Sequence, residues 1–211
     1  MANLLRRPLR HRYYYVTILL IVVNVLVFLY GYVARGRGLL YLSLIPDYVL
    51  QAGAWWQVVT YMVVHGGWGH IFFNMLALFF FGIQLEQRMG STEFLLFYAV
   101  CGVGAGVATV LFNAATGQGM IPVVGASGAI YGVLLAFATF FPDARIFVFG
   151  LIPVRAPILV AIYTGIEIVS QLTGLQAGLA HLTHLAGLGI AYAYLLVRLG
   201  MNPVSIFLHR R

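Results

Sequence analysis

Apolar residues gather in six long blocks, at about Tyr13–Val33, His70–Leu85, Phe94–Phe112, Ala126–Phe141, Pro157–Leu172 and His181–Leu199. A helix needs roughly 20 residues to cross a bilayer, and each block approaches or meets that length, with two on the short side. The stretch from Arg35 to Gly69 has a different texture, mixing Pro46, Asp47 and Gln51 with Trp55, Trp56 and other aromatics. Indole and phenol rings collect where hydrocarbon meets headgroups, so this first loop is expected to lie in the membrane interface. The predicted fold is an all-α polytopic membrane protein, a compact six-transmembrane-helix bundle with a membrane-interface first loop.

Composition agrees with this pattern. Of 211 residues, 62% are apolar and 8% charged, against roughly 25% charged in soluble domains. The length suits one domain, residues 1–211. There is no lysine, so the formal charge of +7 is carried by arginine. The arginines sit between apolar blocks and form no continuous stripe, which argues against a nucleic-acid partner. A single Cys101 excludes an intrachain disulfide. Residues 1–12 look like a basic leader, but the run after them is long and lacks a clear small-residue cleavage signal, so it is expected to be a retained first span.

Arginine placement sets an orientation. With the N-terminus inside, the inner segments hold Arg6, Arg7, Arg10, Arg12, Arg88, Arg145, Arg155, Arg198, Arg210 and Arg211, and the outer ones only Arg35 and Arg37. That bias predicts cytoplasmic N- and C-termini and an even number of spans. A cell inner membrane or plasma membrane is the expected location.

Parity then places the polar residues in depth. Spans two, four and six all run from outside to inside, and a helix rises 1.5 Å per residue. On that scale His70 stands about 27 Å above Arg88 and Asn74 about 21 Å, Ser127 about 27 Å above Arg145, and His184 about 21 Å above Arg198. Polar side chains from three helices thus share one layer toward the outer side. Span four, from Ser127 to Phe141, climbs only about 21 Å, less than the roughly 30 Å of hydrocarbon. Its outer end is expected below the membrane surface. The preceding Ala114–Gly125 stretch is small, polar and contains Pro122, and irregular backbone at that depth needs protein or water around it. A wet pit open to the outside, with Ser127 on its floor, is predicted.

The chemistry centres on Gly125-Ala126-Ser127-Gly128-Ala129-Ile130-Tyr131-Gly132. A serine at a helix start is usually a cap, but a buried hydroxyl among glycines at the mouth of a span suggests a nucleophile, which needs a base in reach. Span six offers His181 and His184. His184 is favoured, because it is deeper and the small residues Gly187, Gly189 and Ala191 after it permit close helix packing; His181 is the second choice as base, and otherwise a hydrogen-bonding residue near the mouth of the pit. No aspartate or glutamate stands out as a third member, so a Ser/His dyad is expected rather than a triad. Tyr131 lies one turn after Ser127 on the same face and could orient the imidazole by packing. His70 and Asn74, also one turn apart, could stabilise an oxyanion together with the Ser127 backbone N–H; the plain alternative is a pair of helix-packing hydrogen bonds. No metal is expected from His65, His70, His181 and His184, since no His-Glu-x-x-His is present and no cysteine or carboxylate is near them in sequence. No cofactor is expected. Glu167, about ten residues into span five, supports a transport or proton-relay alternative; a hydrogen-bonded carboxyl facing the bundle is preferred. A transporter would more often show an internal repeat, and a scaffold would need neither the serine nor the histidine.

Trp56-Gln57, His65-Gly66-Gly67-Trp68-Gly69-His70 with Asn74, Gly125-Ala126-Ser127-Gly128 with Tyr131, and His184-Leu185-Ala186-Gly187 resemble the signatures of the rhomboid family of intramembrane serine proteases. The likeness runs in order through about residues 13–199 and implies one rhomboid-like domain. It implies Ser127 as nucleophile, His184 as general base, His70 and Asn74 as oxyanion residues, and Tyr131 beneath the histidine ring, supported by Gly125, Gly128, Gly187 and His181. It further implies substrates that are single-span transmembrane proteins in membrane lipid, cut near their outer end, with span five beside the lateral route of entry. It leaves open whether the protein works as a monomer. One departure is Gln57, where many members carry arginine, and it bears on the anchoring of the first loop.

Overall fold

The computed structural model describes residues 9–148, 150–173 and 181–209; Arg6, Arg7, Arg210 and Arg211 of the charge argument lie outside them. Its helices are α1 (Val16–Val33), α2 (Leu39–Leu42), α3 (Pro46–Gln51), α4 (Gln57–Thr60), α5 (Trp68–Ala77), α6 (Ile83–Met89), α7 (Ser91–Ala115), α8 (Ser127–Phe140), α9 (Ala156–Thr173), α10 (His181–Val197) and α11 (Pro203–His209). A π-helical turn at Leu78–Gly82 joins α5 to α6, so Trp68–Met89 is one continuous rod.

Among the described residues four helices are long and apolar enough to cross a membrane: Val16–Val33, Trp68–Met89, Ser91–Ala115 and Ala156–Thr173. The shorter apolar helices Ser127–Phe140 and His181–Val197 complete a multi-span membrane bundle. Its outside is apolar, with Leu19, Leu26, Phe72, Phe73 and Leu111 exposed. A soluble protein would cover so much hydrocarbon, whereas lipid solvates it.

The shortest of these helices stands in the middle. From Gly128 to Thr139 nearly every side chain of α8 is buried, including Ala129, Val133, Ala136 and Ala138. A helix apolar all round is stable only when surrounded. It packs against α7, α9 and α10, and small residues on the contact faces allow the backbones to come close. Between α7 and α10 the buried hydroxyls of Thr109 and Thr183 meet at 2.7 Å, each supplying the partner that the other needs away from water.

Two ionic knots tie the chain far from the serine. The Glu86 carboxylate accepts the backbone N–H groups of Val16 at 2.7 Å and Thr17 at 2.8 Å, and the Ser91 hydroxyl at 2.5 Å. A carboxylate on two free N–H groups at the start of α1 serves as its cap, supplied from a distant helix. Glu93 on α7 accepts a forked pair from Arg198, Nε at 2.9 Å and a terminal nitrogen at 2.8 Å, with the Tyr194 hydroxyl at 2.5 Å.

The first loop is a folded piece docked on the bundle. Leu44 and Val123 exchange backbone hydrogen bonds, Asp47 N–H donates to Gly119, and the buried Tyr61 hydroxyl donates to the Gly102 carbonyl at 2.6 Å. Gln57 anchors it from within: its Oε1 accepts Ile45 N–H at 3.0 Å and its Nε2 donates to the Tyr41 carbonyl, which Trp56 Nε1 also reaches at 2.9 Å. The glutamine thus holds the loop by neutral hydrogen bonds at the position where arginine is common in the resembling family.

Among the described residues a two-stranded hairpin departs from an all-α chain. Arg145–Val148 pairs antiparallel with Ile152–Arg155 in a short hairpin between α8 and α9, turning at Gly150 with φ +72°. The sequence reading made Asp143 and Arg145 a solvated turn. β-Branched residues at Ile146, Val148, Ile152 and Val154 favour extended backbone, and Pro153 is tolerated because a two-stranded ribbon has only edges.

Candidate active site

Ser127 is the first residue of α8, and the backbone before it is shaped to deliver it. Gly125 has φ +119°, a left-handed conformation that favours glycine, and its N–H donates to the Tyr61 carbonyl at 2.9 Å. The first loop thereby fixes the entry into α8.

Ser127 Oγ lies 2.8 Å from His184 Nε2. The two helices approach through glycine: a methyl group at Gly187 would lie 1.9 Å from the Gly128 carbonyl oxygen. The His184 ring stacks on Tyr131, with centroids 4.4 Å apart and planes 9° from parallel. Its other nitrogen, Nδ1, lies 2.9 Å from Glu167 Oε1. Tyr131 donates its hydroxyl to the same oxygen, and His181 Nδ1 reaches Glu167 Oε2 at 2.5 Å.

Glu167 is a hydrogen-bonded carboxyl facing the bundle, as the sequence leads one to prefer, but it corrects one expectation, that no acid stands beside the serine and histidine. Here it is 6% exposed and faces both histidines of α10. His181, placed by the sequence reading near the mouth of a pit, is buried against it. The three ligand-type groups of Glu167, His181 and His184 lie within 4.8 Å of one another, a spacing that would also suit a metal. The two histidine nitrogens nearest the carboxylate are each already paired with it by a hydrogen bond.

His70 and Asn74 stand on α5. Asn74 Nδ2 donates to the His70 carbonyl at 2.7 Å, which uses one of its two hydrogens and leaves the second available. The Gly66 N–H points at His70 Nδ1 over a long 3.5 Å, a contact that favours the tautomer with the hydrogen on Nε2. That Nε2 comes close to Gly125, two residues before the serine: a methyl group there would lie 2.6 Å from it and 3.6 Å from Ser127 Oγ.

His70, Asn74, Ser127 and His184 line one cavity of about 1300 Å³. It does not end at the serine. It continues along α8 past Phe137 to Arg145 and Phe147 of the hairpin. Ser127 therefore lines a cleft that is bordered by residues of α5 and α9 as well as α8.

A hydroxyl hydrogen-bonded to an imidazole, with the ring's second nitrogen against a carboxylate and a histidine and an asparagine lining the same cavity, is an arrangement able to carry out acyl transfer. Comparison with known proteins shows the family. The family description Rhomboid domain matches residues 52–200. The rhomboid protease GluP of Bacillus subtilis (strain 168) is 38% identical over 86 residues, 41% of this chain and 16% of the relative. RHOMBOID-like protein 1 of Arabidopsis thaliana is 42% identical over 79 residues, covering 37% and 19%. Rhomboid-like protein 11, chloroplastic, of the same plant is 32% identical over 117 residues, covering 54% and 38%. The chain thus spans less than half the length of these curated relatives. Matched over most of its own length by that domain, this multi-pass membrane protein belongs to the rhomboid family.

Proposed function

We propose that the protein is an intramembrane serine endopeptidase that cleaves transmembrane segments of single-span membrane proteins near their outer end. The observation that carries this reading is the 2.8 Å contact of Ser127 Oγ with His184 Nε2 at the edge of the cavity. Ser127 attacks the scissile carbonyl while His184 takes its proton, and the acyl-enzyme that results is hydrolysed by water that His184 activates. His70 Nε2–H, the remaining Asn74 N–H and the backbone at Ser127 stabilise the oxyanion. Membership of a family made up mostly of such proteases supports the assignment, and inactive rhomboid-like proteins set the competing reading of a scaffold. The transporter reading rested on Glu167, and the hydrogen bonds of that residue to His181, His184 and Tyr131 place it in the serine's neighbourhood instead.

In this reading six spans place both termini in the cytoplasm of a cell whose inner or plasma membrane holds the protein, and the site opens toward the outer leaflet. The test is cleavage of a helix-weakened single-span substrate in liposomes by wild type, Ser127→Ala and His184→Ala. Cleavage lost in both folded variants is the expected result. Cleavage that survives Ser127→Ala, or a wild type that neither cleaves nor reacts at Ser127 with a fluorophosphonate, overturns it.

A further inference from the structure

We infer that Glu167 is a positioning residue for the reaction, completing a Ser127–His184–Glu167 relay whose acid is delivered by α9. The inference rests on the serine-protease reading and extends it from a dyad to a triad.

The geometry is continuous. Ser127 Oγ to His184 Nε2 is 2.8 Å, and His184 Nδ1 to Glu167 Oε1 is 2.9 Å. A carboxylate only accepts, so the hydrogen on that side belongs to Nδ1, and Nε2 is left with the lone pair that faces the serine. The ring is held on three sides: Tyr131 covers one face, Glu167 holds one edge and Ser127 meets the other.

The rest of the network serves the same carboxylate. His181 and His184 stand three residues apart on α10 and both turn Nδ1 toward Glu167. Tyr131 donates to the oxygen that His184 uses. Three donors converge on one acid that is 6% exposed. Glu167 is the only acidic residue in α9, and an acid within a span is retained at a cost. A purely structural tie between α9 and α10 needs hydrogen bonding but no charge, whereas an imidazole that becomes cationic in a water-poor site is stabilised by a full negative charge.

The proton and electron movements close. As Ser127 Oγ bonds to the scissile carbon, its proton passes to His184 Nε2 and the carbonyl π pair moves onto oxygen. As the carbon–nitrogen bond breaks, the same proton passes to the leaving amine. The Nδ1 hydrogen stays on His184 throughout, and Glu167 remains a carboxylate.

The experiment compares wild type, Ser127→Ala, Glu167→Gln and Glu167→Asp in liposomes, reading kcat and KM separately, fluorophosphonate labelling of Ser127, and thermal unfolding. Glutamine keeps the shape and an acceptor but removes the charge, so a structural role survives it. The expected result is a kcat lowered about 10²- to 10⁴-fold in Glu167→Gln, as for loss of the acid in other triads, with KM within about threefold, unfolding unchanged and partial recovery in Glu167→Asp. A Glu167→Gln variant within about threefold of wild type in kcat and labelling, in a protein whose activity needs Ser127, overturns the relay and leaves the protease reading intact. A wild type inert to substrate and probe overturns the protease reading itself. A second measurement does not need the variants to fold: ¹⁵N NMR of histidine-labelled wild type must show His184 protonated at Nδ1 and bare at Nε2, and the opposite tautomer sinks the proposal.

Discussion

Gly187 on α10 stands so close to Gly128 on α8 that a methyl group there would lie 1.9 Å from the Gly128 carbonyl oxygen. A backbone oxygen cannot swing aside, so any side chain forces the two helices apart, and with them Ser127 and His184. Gly187→Ala is expected to cost about 1–3 kcal/mol, the usual range for overpacking, and to reduce Ser127 labelling at least tenfold. Gly189→Ala is the control, because nothing lies within 4 Å of a methyl at that position. Thermal unfolding of the two variants in detergent, with labelling alongside, checks the pair.

Gly125→Ala combines two faults. The residue sits at φ +119°, and its new methyl would lie 2.6 Å from His70 Nε2. If that nitrogen is an oxyanion donor, pushing it away lowers kcat with little change in KM. A loss of about 10²-fold is expected, comparable to removing one such donor elsewhere. An unchanged kcat in the folded variant would remove His70 from the proposed oxyanion site.

Tyr131 contributes a ring face and a hydroxyl, and the two can be separated. Tyr131→Phe keeps the stack on His184 and loses the hydrogen bond to Glu167, so kcat/KM should fall about tenfold or less, equivalent to about 1.4 kcal/mol. Tyr131→Ala removes both and should lose about 10²-fold or more. Equal losses in the two variants would show that stacking contributes nothing.

Stability should fall with acid through His65. Burial, and then the neighbouring His70, pushes its imidazole down to about 4 from the ordinary 6.5. Between those values the unfolded chain binds a proton that the folded protein does not. Stability therefore rises with pH across that window and is lost on acidification, by up to about 1.4 kcal/mol per pH unit from this residue. The difference in unfolding midpoint between wild type and His65→Gln should shrink steadily from pH 6.5 to pH 4.5; parallel curves would clear His65 of any part.

Arg198 and Glu93 close the bundle at the other end of α10. The carboxylate side chain is 7% exposed and the guanidinium 17%. Arg198→Ala strands the acid and should destabilise by about 3–5 kcal/mol, as removal of one partner of a buried pair does. Glu93→Gln keeps one acceptor oxygen for Arg198 and Tyr194, leaves no buried carboxylate unpaired, and should cost less. Unfolding by heat ranks the two.

The order and extent of the long helices could be read from the chain because apolar blocks leave little choice inside a bilayer. The common depth of Ser127, His184, His70 and Asn74 followed from counting helical rise from the arginines, and the structure brings Ser127 and His184 together and lines one cavity with all four. Glu167 escaped for a physical reason. Its height along α9 could be counted, but the rotation of α9 about its axis depends on packing with α8 and α10, which no periodicity reports. The hairpin at Arg145–Arg155 escaped because its two strands have four residues each, too few for alternation to stand out between apolar helices. Gln57 read as a missing arginine, and its role emerged only once Ile45 and Tyr41 were placed around it.

The cap on α1 has a consequence for how the chain is made. The N–H groups of Val16 and Thr17 are satisfied by Glu86, 70 and 69 residues further along. Synthesis runs from the N-terminus, so α1 is made well before its cap. That end of the helix is completed only when Glu86 of α6 has been made and has come beside it, so a contact late in the chain closes a helix made much earlier.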